Sequence, residues 1–330
     1  MTRRVVQIRS YPRIHMTLLD MNGNLGNING GLGFAVDFPH NLIHVRSARE
    51  NRISWSNQAE KSFKAYLSQT ATRVRALRHL GPSEIRVSES LPSHEGFGSF
   101  TSASLAVVEG LLAQTGLPHT RNDVISISRR GGTSGVGISS YFEGKMAVDL
   151  GHRVSDKRSS AQFLPSSYAW RRGPAMELVS IRVPRWPMLL VVPNTNALTE
   201  EQEKKFFRGV CPLPARDVAS AVRLCFFGIL PAVMTADYPR FCRMVRELRD
   251  TMWKNKEIAL YQDKVVSIIQ RAEEIGADAA SMSSLGPLVY CFTRRSKLSR
   301  LRQRLEKEFD LSFAAIAYPR NKGRDMIVSS

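Results

Sequence analysis

The segment SHEGFGSFTSAS (residues 93–104) sets two glycines around an aromatic residue and follows them with hydroxyls. It then runs directly into the apolar helical stretch LAVVEGLLAQ (105–114). A glycine-rich turn opening a helix leaves backbone N–H groups unsatisfied and aimed at one point, where the helix dipole also favours negative charge. Ser99, Thr101 and Ser102 add hydroxyl donors beside Gly96 and Gly98. The segment is not a Walker A loop, because no Gly-Lys-Ser/Thr follows, and it lacks the third glycine of a dinucleotide fingerprint. Three further segments share its character: NGGLG (29–33), GGTSGVG (131–137) and SMSSLGP (281–287). Converging turns of this kind suit a substrate that carries several phosphates.

The totals narrow the classes. A chain of 330 residues, 43% apolar, holds one large domain or two ordinary ones and a full core. The N-terminal MTRRVVQIRSYPRIH alternates in polarity rather than running apolar, so no signal sequence is expected. The apolar stretch LCFFGILPAVM (224–234) is shorter than the roughly 20 residues of a membrane span. Cys211, Cys225, Cys242 and Cys291 show no CxxC spacing and read as reduced, packed thiols. A soluble cytoplasmic protein is the expectation, with no membrane partner. The formal charge is +18, and 35 of the 47 basic residues are arginine, the better fork for phosphate and carboxylate oxygens. These residues are spread along the chain without a zinc-finger, basic-zipper or RNP pattern, which favours small anionic substrates over nucleic acid.

Along the chain, VVQIRS, IHMTLLD, GLGFAVDF and NLIHVRS read as strands, with NGNLGNINGGLG (22–33) as a glycine-rich loop. A helix is expected over 57–78, then the strand EIRVSES, the helix after the 93–104 turn, and a short helix capped by Asn122 or Asp123. RRGGTSGVGISSYFEGKMAVDLGH (129–152) reads as a second glycine-rich loop feeding a hairpin that turns near Gly144. After the buried-strand pattern MLLVVP (188–193) come helices near 199–208, 214–234, 238–256 and 258–275. LVYCFT, a basic helix and FAAIAY close the chain. That order points to an α+β chain with a mixed β/α domain over 1–185 and a ferredoxin-like α/β sandwich over 186–330.

PSHEGFGS resembles the phosphate loop of the GHMP superfamily. A closer resemblance is to its β-ribofuranosylaminobenzene 5'-phosphate synthase branch, including the related C-nucleoside synthases. It rests on PRIHMTLLDMNG (12–23), NGGLGFAVDFP (29–39), HEGFGSFT (94–101), RGGTSGVG (130–137), AVDLGH (147–152), LPSSYA (164–169), VCPLP (210–214), ILPAVMTAD (229–237) and SMSSLGPLVY (281–290). The resemblance implies a two-domain GHMP-kinase-like fold, phosphoribosyl diphosphate (PRPP) as donor and an aromatic carboxylic acid as acceptor. It further implies Mg2+ as cofactor and a homodimer. The ring would attack C1 of the ribose, diphosphate would leave, and CO2 would depart from the attacked carbon. Such a site needs preplaced N–H donors and arginines, and no obligatory general base.

Carried onto this sequence, the resemblance makes Arg13, His15, Asp20 and His94 catalytic candidates. Asp20 and Asp149 become possible Mg2+ ligands, since that ion needs only one or two carboxylates besides phosphate oxygens. Substrate-binding candidates are Asn29, Gly30, Gly31, Gly96, Gly98, Ser99, Thr101, Ser102, Gly131, Gly132, Thr133, Ser134, Gly135, His152, Ser283, Ser284 and Gly286. Trp170 and Trp186 could wall an aryl pocket or belong to the core. Glu200 and Glu203 open a helix, where an acidic residue offsets the dipole. His40, His44, His79 and His119 lack metal spacing. The branch's usual Gly-Leu-Gly-Ser-x-Thr-Gln departs here to GFGSFTS, with Phe97 for Leu and Ser102 for Gln. That change leaves the acceptor open between 4-aminobenzoate or 4-hydroxybenzoate and a pyrazole dicarboxylate. The other reading of the residues is an ATP-dependent small-molecule kinase.

Overall fold

A computed structural model describes residues 4–56, 59–130, 134–153, 163–165, 168–169 and 174–329. The alternating residues of β1 (Val5–Ser10), β4 (Asn41–Ser47) and β6 (Ser83–Glu89) bury Val6, Ile8, Ile43, Val45, Ile85 and Val87 on one face. By contrast β2 (Arg13–Asp20) and β3 (Asn27–Ala35) are buried almost throughout, the pattern of strands covered on both faces. With β5 (Arg52–Trp55) the alternating strands form a sheet on which α1 (Lys61–Arg78) and α2 (Ser99–Thr115) pack. Helix α3 (Arg121–Ser128) begins with a capping box from Thr120 and Asp123. The expected hairpin after residue 134 is instead α4 (Gly135–Phe142), and Gly144, at φ 71°, turns the chain into β7 (Met146–Asp149). The short β8 (His152–Arg153) pairs with β3, and β9 (Glu177–Ile181) extends the second sheet in the order β2-β3-β7-β9.

The C-terminal part begins with β10 (Met188–Pro193) and α5 (Glu200–Val210), whose Thr199–Gln202 capping box fixes the helix start. Next come α6 (Ala215–Leu224), a π-helical turn (Cys225–Ile229), α7 (Leu230–Met234), α8 (Tyr238–Arg249), α9 (Met252–Ala259) and α10 (Gln262–Glu274). Then follow β11 (Ala279–Met282), β12 (Val289–Phe292), α11 (Arg295–Glu308) and β13 (Leu311–Ala317). The antiparallel order β11-β12-β10-β13 with intervening helices is the ferredoxin-like arrangement expected from the element order. The strands β5 and β11 had no counterpart in the sequence reading, nor did a last one. β14 (Asp325–Ser329) returns to pair with β1, so it lies across the 185/186 division from the rest of the C-terminal part.

The second sheet and the C-terminal sheet share the largest core, where Ile14, Met16, Phe34 and Val148 meet Met188, Leu190, Phe241 and Phe292. Trp186 belongs to this core, against Tyr238 (5.4 Å) and Phe241 (4.8 Å between centroids), rather than to an aryl pocket. Trp170 lies outside the described residues. The continuous helical run Ala215–Met234 is, at 20 residues, long and apolar enough to cross a membrane by length and composition. Its Leu224, Cys225, Ile229, Leu230 and Val233 pack into the same core. All four cysteines are free and buried.

Candidate active site

A cleft of about 170 Å³ opens between the two parts. Arg13 and His15, two residues apart on β2, project to the same side of the strand, and a bulge follows between His15 and Thr17. The strand is bonded to the 93–98 loop: Arg13 N–H donates to the Phe97 carbonyl (3.1 Å), and Arg13 Nη1 to the Gly96 carbonyl (2.5 Å). The 283–288 loop completes the seam. Ser283 Oγ accepts from His15 N–H (3.0 Å) and donates to the Gly96 carbonyl (2.9 Å), while Ser284 N–H donates to the His15 carbonyl (3.0 Å). Two glycines make this contact possible. A Cβ on Gly286 would lie 2.1 Å from Gly96 N, and one on Gly98 would press on the Arg13 guanidinium at 3.2 Å. His94 (φ 59°) and Ser284 (φ 58°), both lining the cleft, hold left-handed backbone that non-glycine residues rarely adopt, as is common at functional sites.

One wall consists of donors. The first turn of α2, capped by Gly98 at φ 77°, presents Ser99 and Thr101. Arg130, only 8% exposed, donates from Nε to Thr101 Oγ1 (3.0 Å) and from Nη2 to Ser134 Oγ (3.4 Å). Among the described residues neither Arg13 nor Arg130 has a carboxylate in ion-pair contact. Burial and the neighbouring Arg130 lower Arg13 to about 10. Two such guanidiniums in one cleft have desolvated charge that a bound anion would compensate. His15 is held well below its ordinary value by burial, then by Arg13 and Lys254, so its imidazole is neutral at pH 7. His94 packs on Phe100 (4.6 Å), which also meets Tyr66 (5.1 Å), giving this wall an aromatic end.

The opposite wall is acidic. Glu200 and Glu203 project from the first turn of α5, and Glu257 from α9. Glu257 is paired with Lys254 at 2.5 Å, both almost fully buried, and Lys254 Nζ also donates to the Met282 carbonyl (3.0 Å). Burial, then Glu200, raises Glu203 to about 7, against the pull of Arg130. Beneath lie Leu18, Phe207 and Leu285, and the Tyr261 hydroxyl donates to the Leu285 carbonyl (2.5 Å).

Of the residues singled out from sequence, the cleft gathers Arg13, His15, His94, Gly96, Gly98, Ser99, Thr101, Ser134, Ser284 and Gly286. Ser283 stands just behind as the seam residue. Ser102 does not line the cleft; its Oγ joins Ser10 (2.8 Å) and Asn41 (3.2 Å) in a buried knot under α2. Asn29, Gly30 and Gly31 are strand residues of β3 rather than a loop, and His152 is buried opposite Ile28. Asp20 also lies off the cleft, where its Oδ1 accepts from Asn22 N–H (2.8 Å) and Gly23 N–H (3.0 Å) in a turn. Asp149 accepts from Gly151 N–H (3.0 Å) and Val136 N–H, packs on Gly135, and is raised to about 7 by burial. Gly131, Gly132 and Thr133 lie outside the described residues. Sequence reasoning did not single out Arg130, Tyr66, Lys254 or Glu257, and it read Glu203 only as a dipole residue. The nearest signal for Arg130 was its position directly before the GGTSGVG segment.

An α+β chain with a glycine-rich loop feeding a buried helix at its cleft defines the GHMP-kinase-like fold class. Solved structures agree: L. major mevalonate kinase in complex with R-mevalonate matches with a TM-score of 0.73, at 12% identity over 96% of each chain. Streptococcus pneumoniae phosphomevalonate kinase matches at 0.67, with 11% identity over 94% of this chain and 99% of that one. No family model matches the chain. Among curated proteins, the beta-ribofuranosylphenol 5'-phosphate synthase of Archaeoglobus fulgidus is 32% identical over 290 residues, 88% of either chain. The protein of the same name from Methanothermobacter thermautotrophicus is 30% identical over 295 residues, 87% of this chain and 88% of its own. The chain belongs to the beta-ribofuranosylphenol 5'-phosphate synthase family.

Proposed function

We propose that this chain is a C-glycoside-forming phosphoribosyltransferase. It couples PRPP to an aromatic or heteroaromatic carboxylic acid and releases diphosphate and CO2. The observation that carries the reading is the pair of guanidiniums, Arg13 and Arg130, facing the cleft beside the start of α2 with no carboxylate in ion-pair contact among the described residues. Departure of diphosphate builds negative charge on the leaving oxygens and an oxocarbenium ion at C1. Donors already oriented toward the leaving group stabilise that charge without reorganising. The neutral His15 and the Ser99, Thr101, Ser134 and Ser284 hydroxyls complete the donor set, and the closed seam of loops fixes their positions. Holding the ring carbon beneath C1 contributes by proximity.

Mg2+ fits this donor set. Among the described residues no three metal-type side chains converge, so most of the ion's oxygens would come from the diphosphate, as is usual for Mg2+. Asp20 and Asp149 use carboxylate oxygens in a turn and at the start of α4, and neither lines the cleft. Glu200, exposed at the cleft rim, would be the protein ligand. When bound, the ion offsets the charge of the departing diphosphate. The test is diphosphate and CO2 release from Mg2+ and PRPP with 4-hydroxybenzoate, 4-aminobenzoate and a pyrazole dicarboxylate. Equal release of both with one acceptor is expected; silence on all three, with ADP formed from ATP and a small alcohol, would sink the reading.

A further inference from the structure

The acidic wall has a graded order along one face of α5. Glu200 is at the rim, Glu203 lies three residues deeper, and Phe207 follows four residues on, where it joins Leu18 and Leu285 in an apolar floor. Each carboxylate but one has an assignment. Glu257 is bound to Lys254, and Glu200, exposed at the rim, is the ligand proposed above for Mg2+. Glu203 is half-buried, and its carboxylate makes no hydrogen bond or ion pair with another described residue. The donor wall attracts phosphate; a carboxylate opposite it repels phosphate and suits a group that gives up a proton. An aromatic ring lying on Phe207, Leu18 and Leu285 would bring such a group to Glu203.

We infer that Glu203 takes the proton of the O–H or N–H conjugated with the attacked ring carbon, and returns it as CO2 leaves. The inference rests on the C-ribosyl transfer reading. Bond formation from the ring carbon to C1, with loss of diphosphate, makes the ring cationic and its conjugated O–H strongly acidic. Transfer of that proton to Glu203 leaves a neutral dienone. The bond to the carboxylate then breaks, its electron pair flows through the ring to the oxygen, and the oxygen recovers the proton from Glu203. Glu203 ends as it began, and the net products are the C-riboside 5'-phosphate, CO2 and diphosphate. A carboxylate that burial holds above its ordinary range, with no ion pair among the described residues to fix its charge, can both accept and return a proton. The groups that face it are Glu200 on its own helix, Glu257 on α9, Tyr261 just before α10, and Arg130 and Arg13 across the cleft.

The experiment compares wild type with Glu203→Gln and Glu203→Asp, using Mg2+, PRPP and the three acids named above. Wild-type turnover is read first: silence there overturns both the reaction and this inference. With an active acceptor, E203Q should lower kcat by about 10²–10⁴-fold, the usual range for general acid–base catalysis. It should also abolish the pH limb near neutrality while PRPP affinity and the Mg2+ requirement stay unchanged. E203D should keep the limb and recover part of kcat. PRPP binding by calorimetry shows that each variant is folded, and should E203Q not fold, E203D carries the test through its displaced limb. Unchanged kcat in E203Q overturns the inference. So does a loss accompanied by weaker PRPP binding or a raised Mg2+ requirement, which would place Glu203 on the donor side.

Discussion

The wall made by β2, the 93–98 loop and the start of α2 differs from the wall made by α5 and α9 in how charge is held. On the first, Arg13 and Arg130 are supported, among the described residues, by neutral oxygens of Gly96, Thr101 and Ser134. On the second, the deepest carboxylate, Glu257, is neutralised in advance by Lys254. The donor wall therefore carries charge a substrate can use, whereas the deep Lys254–Glu257 pair of the acidic wall is structural and leaves the chemistry to Glu200 and Glu203. Charge kept for a ligand is a cost to the free protein, and charge paired internally is a requirement of it.

The largest expected effect tests the structural side. Lys254→Met strands Glu257 in the interior and should lower unfolding free energy by about 3–5 kcal/mol, with the double variant K254M/E257L recovering most of it. Chemical denaturation measures both; an undisturbed single variant would dissolve the contrast. Next, Arg130→Ala should reduce kcat/KM for PRPP by about 10²–10³-fold, the value of one preorganised donor. Its denaturation midpoint should hold or rise, because no internal ion pair is lost. A lower midpoint would mean that Arg130 is structural after all.

A third prediction sets the cleft against the buried Asp149 beside α4. Its folded value near 7 exceeds the ordinary 3.8, so the folded state binds the proton more tightly than the unfolded chain does. The stabilisation is complete below 3.8 and is lost as pH rises through 7. Wild-type stability should fall across that window and D149N should flatten the fall, as pH-dependent urea titrations would show. A steeper fall in D149N would reverse the assignment. The smallest effect belongs to Ser102→Ala, which should cost about 1 kcal/mol by breaking the knot with Ser10 and Asn41. PRPP kinetics should be unchanged; a raised KM would return Ser102 to the donor wall.

The contrast between walls also separates what was legible in the sequence from what was not. The donor wall announces itself locally, because glycine and hydroxyl residues within a few positions of one another define the 93–101 turn whatever it packs on. The ferredoxin-like part followed from element order for the same reason. Arg130 is one of 35 arginines, and nothing local separates it from the others; only the approach of Thr101, 29 residues away, gives it a role. Glu203 has the sequence appearance of any first-turn glutamate, and its burial depends on the packing of the C-terminal part. Asn29 to Gly31 read as loop because of their composition. In the fold they are strand because β2 and β7 come close on either side: a Cβ on Gly31 would meet His15 Nε2 at 2.9 Å and Asp149 Oδ2 at 3.2 Å. The five-residue β14 carries too little pattern to be distinguished from a frayed terminus.

That last strand has a consequence for the order in which the protein is built. Glu109, buried on α2, is neutralised by Arg324 (Nε to Oε2, 2.8 Å) and receives the Tyr141 hydroxyl (2.6 Å). The helix whose first turn faces the cleft therefore acquires its internal counter-charge from a residue 215 positions further along the chain. During synthesis, α2 and its sheet leave the ribosome with that carboxylate uncompensated, and the ferredoxin-like part must be translated before Arg324 arrives. The ion pair behind the donor wall is thus made as a closing step, and a chain arrested before residue 324 would carry every glycine-rich loop yet lack it.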